Sequence, residues 1–458
     1  MGDAASRLAP LLRNLTGLEL PVRLRAWDRS EAGPPDAVAT IVVRSRRALR
    51  RLLWQPNELG LAQAYVAGEL DVEGDLSAVL ALPDRLAERA GRPDLTLGRR
   101  ERLAMASTAL RLGAIGPPPR PPAEESGLTG ARHTRRRDRA AISHHYDVGN
   151  DFYRLVLGPS MTYSCAYWPS VELSLADAQA AKHELVSRKL GLGPGMRLLD
   201  VGCGWGSMVI HAATRHGVRA VGVTISASQA ELARERTVAA GVADRVEIRP
   251  QDYRDVADGP YDAISSIGMA EHVGRENLAE YAGRLAGLLG PSGRLLNHAI
   301  SQSRDTGSDP RSSFLHRYVF PDGDLLPVGL TVSALEDAGL EVRDVESLRE
   351  HYVLTLRQWV ANLEAGWDEA VRRTSVGRAR VWRLYMSGAA VTFEAGRVGV
   401  HQVLAVKPAR DGGSGLPLTR GQWLESADGG RYSNQLVVEQ VAKAHRERLH
   451  HGGHDAGD

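Results

Sequence analysis

The sequence predicts an α/β protein built on a largely parallel sheet with helices on both faces, preceded by a smaller mixed α+β domain. Strand-like and helical segments alternate from about residue 140 to residue 408, which is typical of such a sheet. One predicted strand runs directly into a glycine turn followed by a helical pattern. A proline-rich stretch at 116–122 separates this alternation from the residues before it.

Composition excludes several classes of protein. The chain has 458 residues, a net charge of +2 and 43% hydrophobic residues, so we expect two or three globular domains and no nucleic-acid partner. Its two cysteines, Cys165 and Cys203, make neither a disulfide framework nor a CxxC metal motif, so no metal site is expected. Without a signal-peptide core or a span of about 20 apolar residues, we expect a cytoplasmic protein.

The first predicted domain covers residues 1–114. It combines two short strands with three helical segments, and nothing in it suggests catalysis. The strands are Val22–Trp27 and Ala39–Val43, and the helical patterns are Leu49–Trp54, Leu61–Glu69 and Arg99–Leu112.

Residues 115–139 are predicted to link the domains, because prolines at this density exclude helix and sheet. The linker ends in a cationic cluster, which is either a solvated hinge or a contact with anionic lipid worth about 1 kcal/mol per basic residue. The cluster consists of Arg132, His133, Arg135, Arg136, Arg137 and Arg139.

The second predicted domain, 140–409, carries the alternating pattern, and a glycine-rich tail, 410–458, is expected to be loosely ordered. Helices fit between its strands; Asn277–Leu289 has apolar residues at helical spacing on one face. The predicted strands are Met196–Val201, Arg219–Ile225, Arg245–Arg249, Asp262–Ile267, Arg294–Ile300, Glu341–Val345 and Val400–Val406.

A glycine turn follows the first of these strands, with Gly202, Gly204 and Gly206 in a GxGxG pattern. Glycines let the backbone approach a ligand, and the helix N-terminus supplies free N–H groups. A dinucleotide fingerprint would need glycine at Ser207, and the carboxylate of Asp200 suits an amino group better than a pyrophosphate. The pattern therefore favours S-adenosylmethionine over NAD.

Polar residues follow the next two strands, at the edge where ligands of open α/β sheets collect. No carboxylate ends the second strand, so Thr224, Ser226 or Gln229 must bind the ribose hydroxyls. The third strand is followed by Gln251, Asp252 and Tyr253. Asp252 either accepts from an adenine amino group or caps a turn.

Six motifs make a more specific match: HYDVGNDFY (145–153), YSCAYW (163–168), LLDVGCGWG (198–206), the T-x-S-x-x-Q stretch (224–229), EHVG (271–274) and YVFPDG (318–323). From about Ser143 to Pro408 the chain resembles the cyclopropane-fatty-acyl-phospholipid synthases and the mycolic acid methyltransferases. The resemblance implies a Rossmann-like, class I S-adenosylmethionine-dependent methyltransferase sheet. The leading domain resembles the extra N-terminal domain of the synthases.

The resemblance also implies roles for individual residues. Tyr163, Ser164, the glycine turn, Thr224, Gln229 and the segment ending at Ile267 match cofactor-binding positions. A second set matches the positions that hold a bicarbonate ion beside the reacting carbon, although Tyr352 comes from a stretch without a strong motif. This set is Cys165, Glu271, His298, Ile300 and Tyr352.

The implied reaction is methyl transfer to the cis double bond of an unsaturated phospholipid acyl chain, giving a carbocation that bicarbonate deprotonates. The family usually has an aromatic residue where this chain has Ala270, which favours a methylene over a cyclopropane product and hence a later reductase. We expect peripheral membrane association through the N-terminal domain and a possible homodimer. The alternatives are an O- or N-methyltransferase of a soluble molecule and a non-enzymatic lipid-binding protein. Aromatic faces expected to stabilise the cation are those of Tyr146, Tyr167, Trp168 and Tyr318.

Overall fold

The computed structural model describes residues 4–16, 22–82, 99–126, 134, 135, 137, 148–302 and 313–421. These residues form two compact units. The first is drawn from 1–129, 307–321 and 363–395, and the second from 130–306, 322–362 and 396–458. Strand–helix alternation gave no sign that 363–395 groups with the N-terminal residues, and the domain limits at 115 and 140 remain predictions.

The helices include all those predicted, with ends that differ by a few residues. They are α1 (Ala4–Thr16), α2 (Arg46–Trp54), α3 (Glu58–Val66), α4 (Leu76–Leu80), α5 (Arg99–Arg111), α6 (Asn150–Leu157), α7 (Leu175–Leu190), α8 (Ser207–His216), α9 (Ala227–Ala239), α10 (Ala270–Val273), α11 (Leu278–Leu288), α12 (Phe314–Tyr318), α13 (Val328–Asp337), α14 (Arg349–Ala365), α15 (Trp367–Arg373) and α16 (Val376–Glu394).

The strands likewise include every predicted one. They are β1 (Val22–Arg25), β2 (Glu31–Ala32), β3 (Ala39–Val43), β4 (Leu70–Gly74), β5 (Arg197–Val201), β6 (Arg219–Thr224), β7 (Val246–Pro250), β8 (Tyr261–Ile267), β9 (Leu289–Gln302), β10 (Glu341–Ser347) and β11 (Val398–Val406). Sequence reasoning missed β2 and β4, since β2 has two residues and β4 ends in Glu73 and Gly74.

The first unit contains a four-stranded sheet in the order β2-β1-β3-β4, in which only β1 and β3 run parallel. Leu24 of β1, Leu49 of α2 and Ala109 of α5 pack in its core. The long helix α16 contacts α3 and α4. Its Arg380, which is 9% exposed, pairs with Asp71 at 2.5 Å. The mixed α+β character predicted for the N-terminal residues is therefore present.

The second unit contains a seven-stranded sheet in the order β10-β11-β9-β8-β5-β6-β7. Strands β9, β8, β5, β6 and β7 run parallel, whereas β10 and β11 pair antiparallel. Hydrophobic cores lie on both faces: α11 and α13 pack in one, α7, α8 and α9 in the other. The largely parallel sheet with helices on both faces is confirmed. The direction of β10 and β11 could not be predicted, because an apolar pattern is the same in either direction.

The linker behaves as its prolines predict, since residues 113–126 form neither helix nor strand. The cationic cluster is only partly described: Arg132, His133, Arg136 and Arg139 lie outside the described residues, as do residues 143–147 and the tail from 422. Arg137 donates to both carboxylate oxygens of Asp322, at 2.6 and 2.9 Å, with side chains 11% and 6% exposed. Arg137 therefore neutralises a buried carboxylate, and the lipid contact predicted for the cluster as a whole stays a prediction.

Among the described helices, none is long and apolar enough to cross a membrane.

Candidate active site

A pocket opens at the carboxyl ends of β5, β6, β7 and β8. Strand β5 lies between β6 and β8, so the connections leave it in opposite directions, and open α/β sheets bind ligands at such a point. Eleven of the thirteen predicted cofactor residues line the pocket: Tyr163, Ser164, Asp200, Gly202, Gly204, Thr224, Gln229, Gln251, Asp252, Tyr253 and Ile267. Gly206 and Ser226 do not; they cap α8 and α9.

The glycine turn depends on left-handed backbone conformations. Gly202 has φ of +77° and Gly204 has φ of +54°, values that side chains disfavour. The amides of Gly202 and Cys203 both donate to the carbonyl of Val223 at 3.0 Å, which holds the turn against β6. A Cβ at Gly204 would meet no described atom within 4 Å, so this glycine borders open pocket space. The turn thus forms a cradle for a ligand at the start of α8.

Two buried, oppositely charged groups lie beside the turn. Asp200 accepts a 2.7 Å hydrogen bond from Ser265, and burial raises the pKa of Asp200 to about 6. Lys182 of α7 donates to Ser164 Oγ at 3.1 Å, and burial lowers the pKa of Lys182 to about 8. Each charge favours ionisation of the other. The Asp200 carboxylate is therefore available at neutral pH to an amino group in the pocket.

Polar contacts also organise the adenosine end of the predicted site. Thr224 donates to Gln229 Oε1 at 2.8 Å. Asp252 caps a short 3₁₀ turn and forms an ion pair with Arg254 at 2.7 Å. Although burial opposes ionisation, the Arg254 guanidinium keeps the pKa of Asp252 below its usual value. Asp252 is thus a capping residue that also lines the pocket; its contact with adenine stays a prediction.

None of the five residues of the second predicted set is among those that line this pocket. Glu271 of α10 accepts a 2.8 Å hydrogen bond from the Ile300 amide at its Oε1. Its Oε2 is buried and has no hydrogen-bond partner among the described residues. Burial raises the pKa of Glu271 to about 7, so near neutrality this carboxyl exists in both protonation states.

His298 lies two residues before Ile300 on β9, so the two side chains point to the same face of the sheet. Its Nδ1 is 3.3 Å from Nε2 of the buried Gln402. An amide nitrogen can only donate, so with this amide orientation Nδ1 accepts when the imidazole proton is on Nε2. Burial lowers the pKa of His298 well below its usual value, so the ring is neutral. Its Nε2 is buried and finds no partner within the described chain.

Cys165 and Tyr352 meet at Leu348. The Cys165 Sγ lies 3.1 Å from its neighbouring carbonyl, that of Ala166, and 3.6 Å from the Leu348 carbonyl, which also accepts from the Tyr352 amide at 3.1 Å. The Leu348 amide donates to Val400, and Val400 is paired with Ile300 across β11 and β9. Burial raises the pKa of the Cys165 thiol, which stays protonated. Main-chain contacts thus connect the predicted residues across the sheet edge.

A row of aromatic rings joins the pocket to this second group. Trp205 and Tyr163 line the pocket, and both contact Tyr153, with ring centroids at 4.8 and 5.7 Å. Tyr163 contacts Trp359 at 5.3 Å, and Trp359 contacts Tyr352 at 5.9 Å. Sequence reasoning did not find this row, because its members are spread over more than 200 residues of the chain.

The aromatic residues expected to stabilise a cation have other neighbours. Tyr167 stacks on His351 at 4.9 Å, and the indole of Trp168 donates to Thr355 at 3.0 Å. In the first unit, the Tyr318 hydroxyl donates to Glu125 at 2.9 Å. Tyr146 lies outside the described residues. Their predicted role remains untested.

Several pocket residues were missed by sequence reasoning: Lys182, His183, Trp205, Met269 and His272. A signal for two of them exists in α7, whose buried residues include polar ones that a core helix would avoid without a reason. Lys182 is 1% exposed and His183 is 5% exposed. Met269 packs over the glycine turn, its Sδ 3.3 Å from the position of a Cβ on Gly202.

Comparisons with known proteins show the family to which the chain belongs. A family model described as mycolic acid cyclopropane synthetase matches residues 133–403. A probable fatty acid methyltransferase from Mycobacterium tuberculosis is 42% identical over 87% of this chain and 94% of its own. A cyclopropane-fatty-acyl-phospholipid synthase from Escherichia coli K12 is 37% identical over 58% of this chain and 68% of its own. The solved structure of a mycolic acid cyclopropane synthase complexed with SAH and CTAB is 33% identical, covers 59% of this chain and 98% of that one, and superposes with a TM-score of 0.56.

Proposed function

Because this chain belongs to the mycolic acid cyclopropane synthetase family of S-adenosylmethionine-dependent methyltransferases, we propose that it methylates the cis double bond of an unsaturated phospholipid acyl chain. The observation that carries the proposal is a pair of buried polar atoms, Glu271 Oε2 and His298 Nε2, that have no partner among the described residues. Buried polar atoms normally have a hydrogen-bond partner, so two such atoms without one support the binding of a ligand. Glu271, on α10, accepts from the Ile300 amide, and His298 lies two residues before Ile300 on β9.

The cofactor pocket suits S-adenosylmethionine, which when bound supplies an electrophilic methyl group. Asp200, ionised at neutral pH, would hold its amino group, and the Gly202–Gly206 turn would let the backbone approach it. Thr224 and Gln229 would bind the ribose. The relative complexed with SAH supports this assignment.

We assign the small ligand of the second group as bicarbonate. His298 Nε2–H would donate to one of its oxygens, and Glu271, protonated for part of the time near neutrality, would donate to another. Both donors would act without a formal positive charge, and the protonated Cys165 thiol, directed at main-chain carbonyls, would add none. An anion held this way supplies a base that removes a proton from the alkylated chain.

The surroundings favour reaction with hydrocarbon. An isolated alkene is a weak nucleophile, so it must be held in line with the methyl group while water is kept away. Four aromatic rings form one connected group: Tyr153, Tyr163, Trp205 and Trp359. Tyr153 and Trp359 are fully buried. Aromatic faces also stabilise a developing cation without attacking it. The names of the relatives, which include a fatty-acyl-phospholipid synthase, support an acyl substrate.

The product is proposed to be a methylene rather than a cyclopropane. Ala270 is 6% exposed and presents a methyl group where the family usually has an aromatic ring. Without that ring the cation has more freedom to undergo a hydride shift before it loses a proton. A methylene product would then be the substrate of a reductase.

Membrane contact is proposed for a surface of the first unit. Arg46, Arg50 and Trp54 recur at every fourth position of α2 and so lie on one face of it. Trp54 is 60% exposed and Ile115 is 58% exposed, and the Trp54 indole donates to the Gly116 carbonyl at 2.9 Å. Tryptophan and arginine on one helix face are typical of binding to an anionic bilayer surface. This face of α2 belongs to the N-terminal domain, for which membrane contact is expected.

The test is to incubate the purified chain with methyl-labelled S-adenosylmethionine and vesicles of dioleoylphosphatidylglycerol. We expect label in the acyl chain, in amounts that rise with added bicarbonate in a carbonate-depleted buffer. Label confined to a soluble acceptor, or to the phospholipid headgroup, would refute the acyl assignment. Proton NMR of the extracted lipid distinguishes the products: olefinic signals of an exocyclic methylene are expected, and ring protons would instead identify a cyclopropane.

A further inference from the structure

Two helices that flank the cofactor pocket share a cluster of potential metal ligands. Glu184 of α7 and two histidines of α8, His211 and His216, bring one ligand atom each to within 4.8 Å of one another. The Glu184 Oε2 lies 3.2 Å from His211 Nε2 and 3.1 Å from His216 Nε2. The side chains are partly buried, at 27%, 15% and 17% exposed. No step of the proposed reaction uses this cluster.

Two of the three separations between ligand atoms match those of a tetrahedral metal site. Zinc binds imidazole nitrogen and carboxylate oxygen at about 2.0–2.2 Å, which places neighbouring ligand atoms roughly 3.3 Å apart. The two measured Glu184–histidine separations are close to that value. Two histidines and one glutamate are also a common zinc ligand set that leaves a fourth position to water.

The carboxylate is held in place from its other side. Arg188, one turn along α7, donates to Glu184 Oε1 at 2.7 Å, which leaves Oε2 directed at the histidines. Such a contact outside the ligand set orients a metal-binding carboxylate. The ring of His211 lies between its neighbours, with centroids 5.7 Å from His183 and 6.0 Å from His216. The ligand atoms therefore converge before any ion binds.

We propose that Glu184, His211 and His216 bind one Zn²⁺ ion that joins α7 to α8. Each imidazole would bind the ion through Nε2 and carry its proton on Nδ1. The site is separate from the cofactor pocket but lies on two helices that flank it. Helix α7 also carries Lys182 into the pocket, and α8 begins at Gly206 of the glycine turn. Zinc would thus stabilise the frame of the cofactor site without taking part in the reaction.

The first experiment measures zinc content. The sequence has a second group of histidines at its C-terminus, His450, His451 and His454, so these are replaced by glutamine in the reference protein. After treatment with EDTA, the full-length reference protein is dialysed against micromolar Zn²⁺. We expect one equivalent of zinc per chain, and less than a tenth of that after His211→Gln and His216→Gln are added. Cobalt substitution should give the intense visible absorption of a tetrahedral site.

The second experiment measures stability. Zinc should raise the melting temperature of the reference protein, because an ion that binds only the folded state stabilises it, and should leave the double histidine variant unchanged. If that variant does not fold, Glu184→Gln serves in its place, since its amide oxygen still accepts a hydrogen bond. No uptake of zinc by the reference protein, or uptake that these substitutions do not alter, would overturn the proposal and leave a carboxylate hydrogen-bonded by two imidazoles.

Discussion

The main-chain amide of Ile300 donates a 2.8 Å hydrogen bond to Oε1 of Glu271. This contact joins strand β9 to the short helix α10 and uses one of the two carboxylate oxygens. The other oxygen is buried without a partner among the described residues. Buried polar atoms are normally paired, so this oxygen is the candidate contact for the proposed ligand.

We expect Glu271→Gln to lower turnover about 100-fold, the range typical of lost acid–base assistance, while cofactor affinity changes less than about twofold. The amide oxygen still accepts from Ile300, so the local fold is retained. Turnover is measured by label transfer and affinity by calorimetry. Glu276→Gln, the same change at an exposed position nearby, is the control and should keep full activity. Equal losses of turnover and affinity at Glu271 would make that residue structural.

The pH dependence of stability offers a second test of Glu271. Its pKa is about 7 in the folded chain against 4.5 for an unperturbed glutamate, so the folded state holds the proton more tightly. Stability from this group is fully present below about pH 4.5 and is lost as pH rises through about 7. In urea unfolding, the free energy of unfolding of Glu271→Gln relative to that of the wild type should therefore rise between pH 5 and pH 8, by on the order of 2 kcal/mol. Parallel stability curves would contradict the raised pKa.

Gly204→Ala should weaken S-adenosylmethionine binding at least tenfold. Its added Cβ would project where no described atom lies within 4 Å, in the cofactor pocket. Gly241→Ala is the matched control: φ is +68°, its surroundings are equally open, and it lies after α9 outside the pocket lining. Both changes should cost about 1–2 kcal/mol of stability through the left-handed backbone, and calorimetry should find a binding defect only at Gly204. A similar loss of affinity in both variants would contradict this reading.

Lys189→Met should destabilise the second unit by about 3 kcal/mol, since it removes a buried cation that pairs with two buried carboxylates. Lys189 is 1% exposed, with its Nζ 2.5 Å from Glu346 and 3.2 Å from Asp344. Arg420 also pairs with Asp344, which limits the loss. The control is Arg343→Met on the same strand β10, where an exposed pair is worth about 0–1 kcal/mol. Chemical denaturation compares the two, and equal effects would show that burial of Lys189 is unimportant.

Replacing both Trp54 and Ile115 by alanine should reduce binding to dioleoylphosphatidylglycerol vesicles about tenfold, because both apolar side chains are exposed beside basic residues. Sedimentation with vesicles measures binding, and labelled cofactor checks that the methyltransferase site is intact. Leu418→Ala, at a residue 96% exposed in the second unit, is the control and should bind as the wild type does. Unchanged vesicle binding by the double variant would move the membrane contact elsewhere.

Much of the second unit was predictable. Apolar runs such as Ala220–Val223 must be buried on both faces of a sheet, and glycines at 202, 204 and 206 mark a turn that only left-handed conformations can make. The strands and the cofactor edge followed from these local rules. The missed pocket residues were those with no local signal. The sequence predicts Lys182 as a surface lysine of its helix, whereas in the structure it is buried beside Asp200.

The grouping of 363–395 with the N-terminal unit was also beyond sequence reasoning. Nothing local distinguishes α16 from a helix of the second sheet; its place is decided by contacts with α3, α4 and Asp71, some 300 residues earlier in the chain. The antiparallel pairing of β10 and β11 could not be predicted either, since an alternation of apolar residues carries no direction.

Taken alone, the amino-acid order determined the order of strands and helices, the glycine turn and the family, because these depend on short-range periodicity, backbone freedom and contiguous motifs. Tertiary structure alone decided which polar groups share a buried space. Glu271 with Ile300, Cys165 with Leu348, and Glu184 with His211 and His216 meet only after folding. The raised pKa values of Glu271 and Cys165 depend on that burial, since the cost of desolvating a charge does not exist in the unfolded chain.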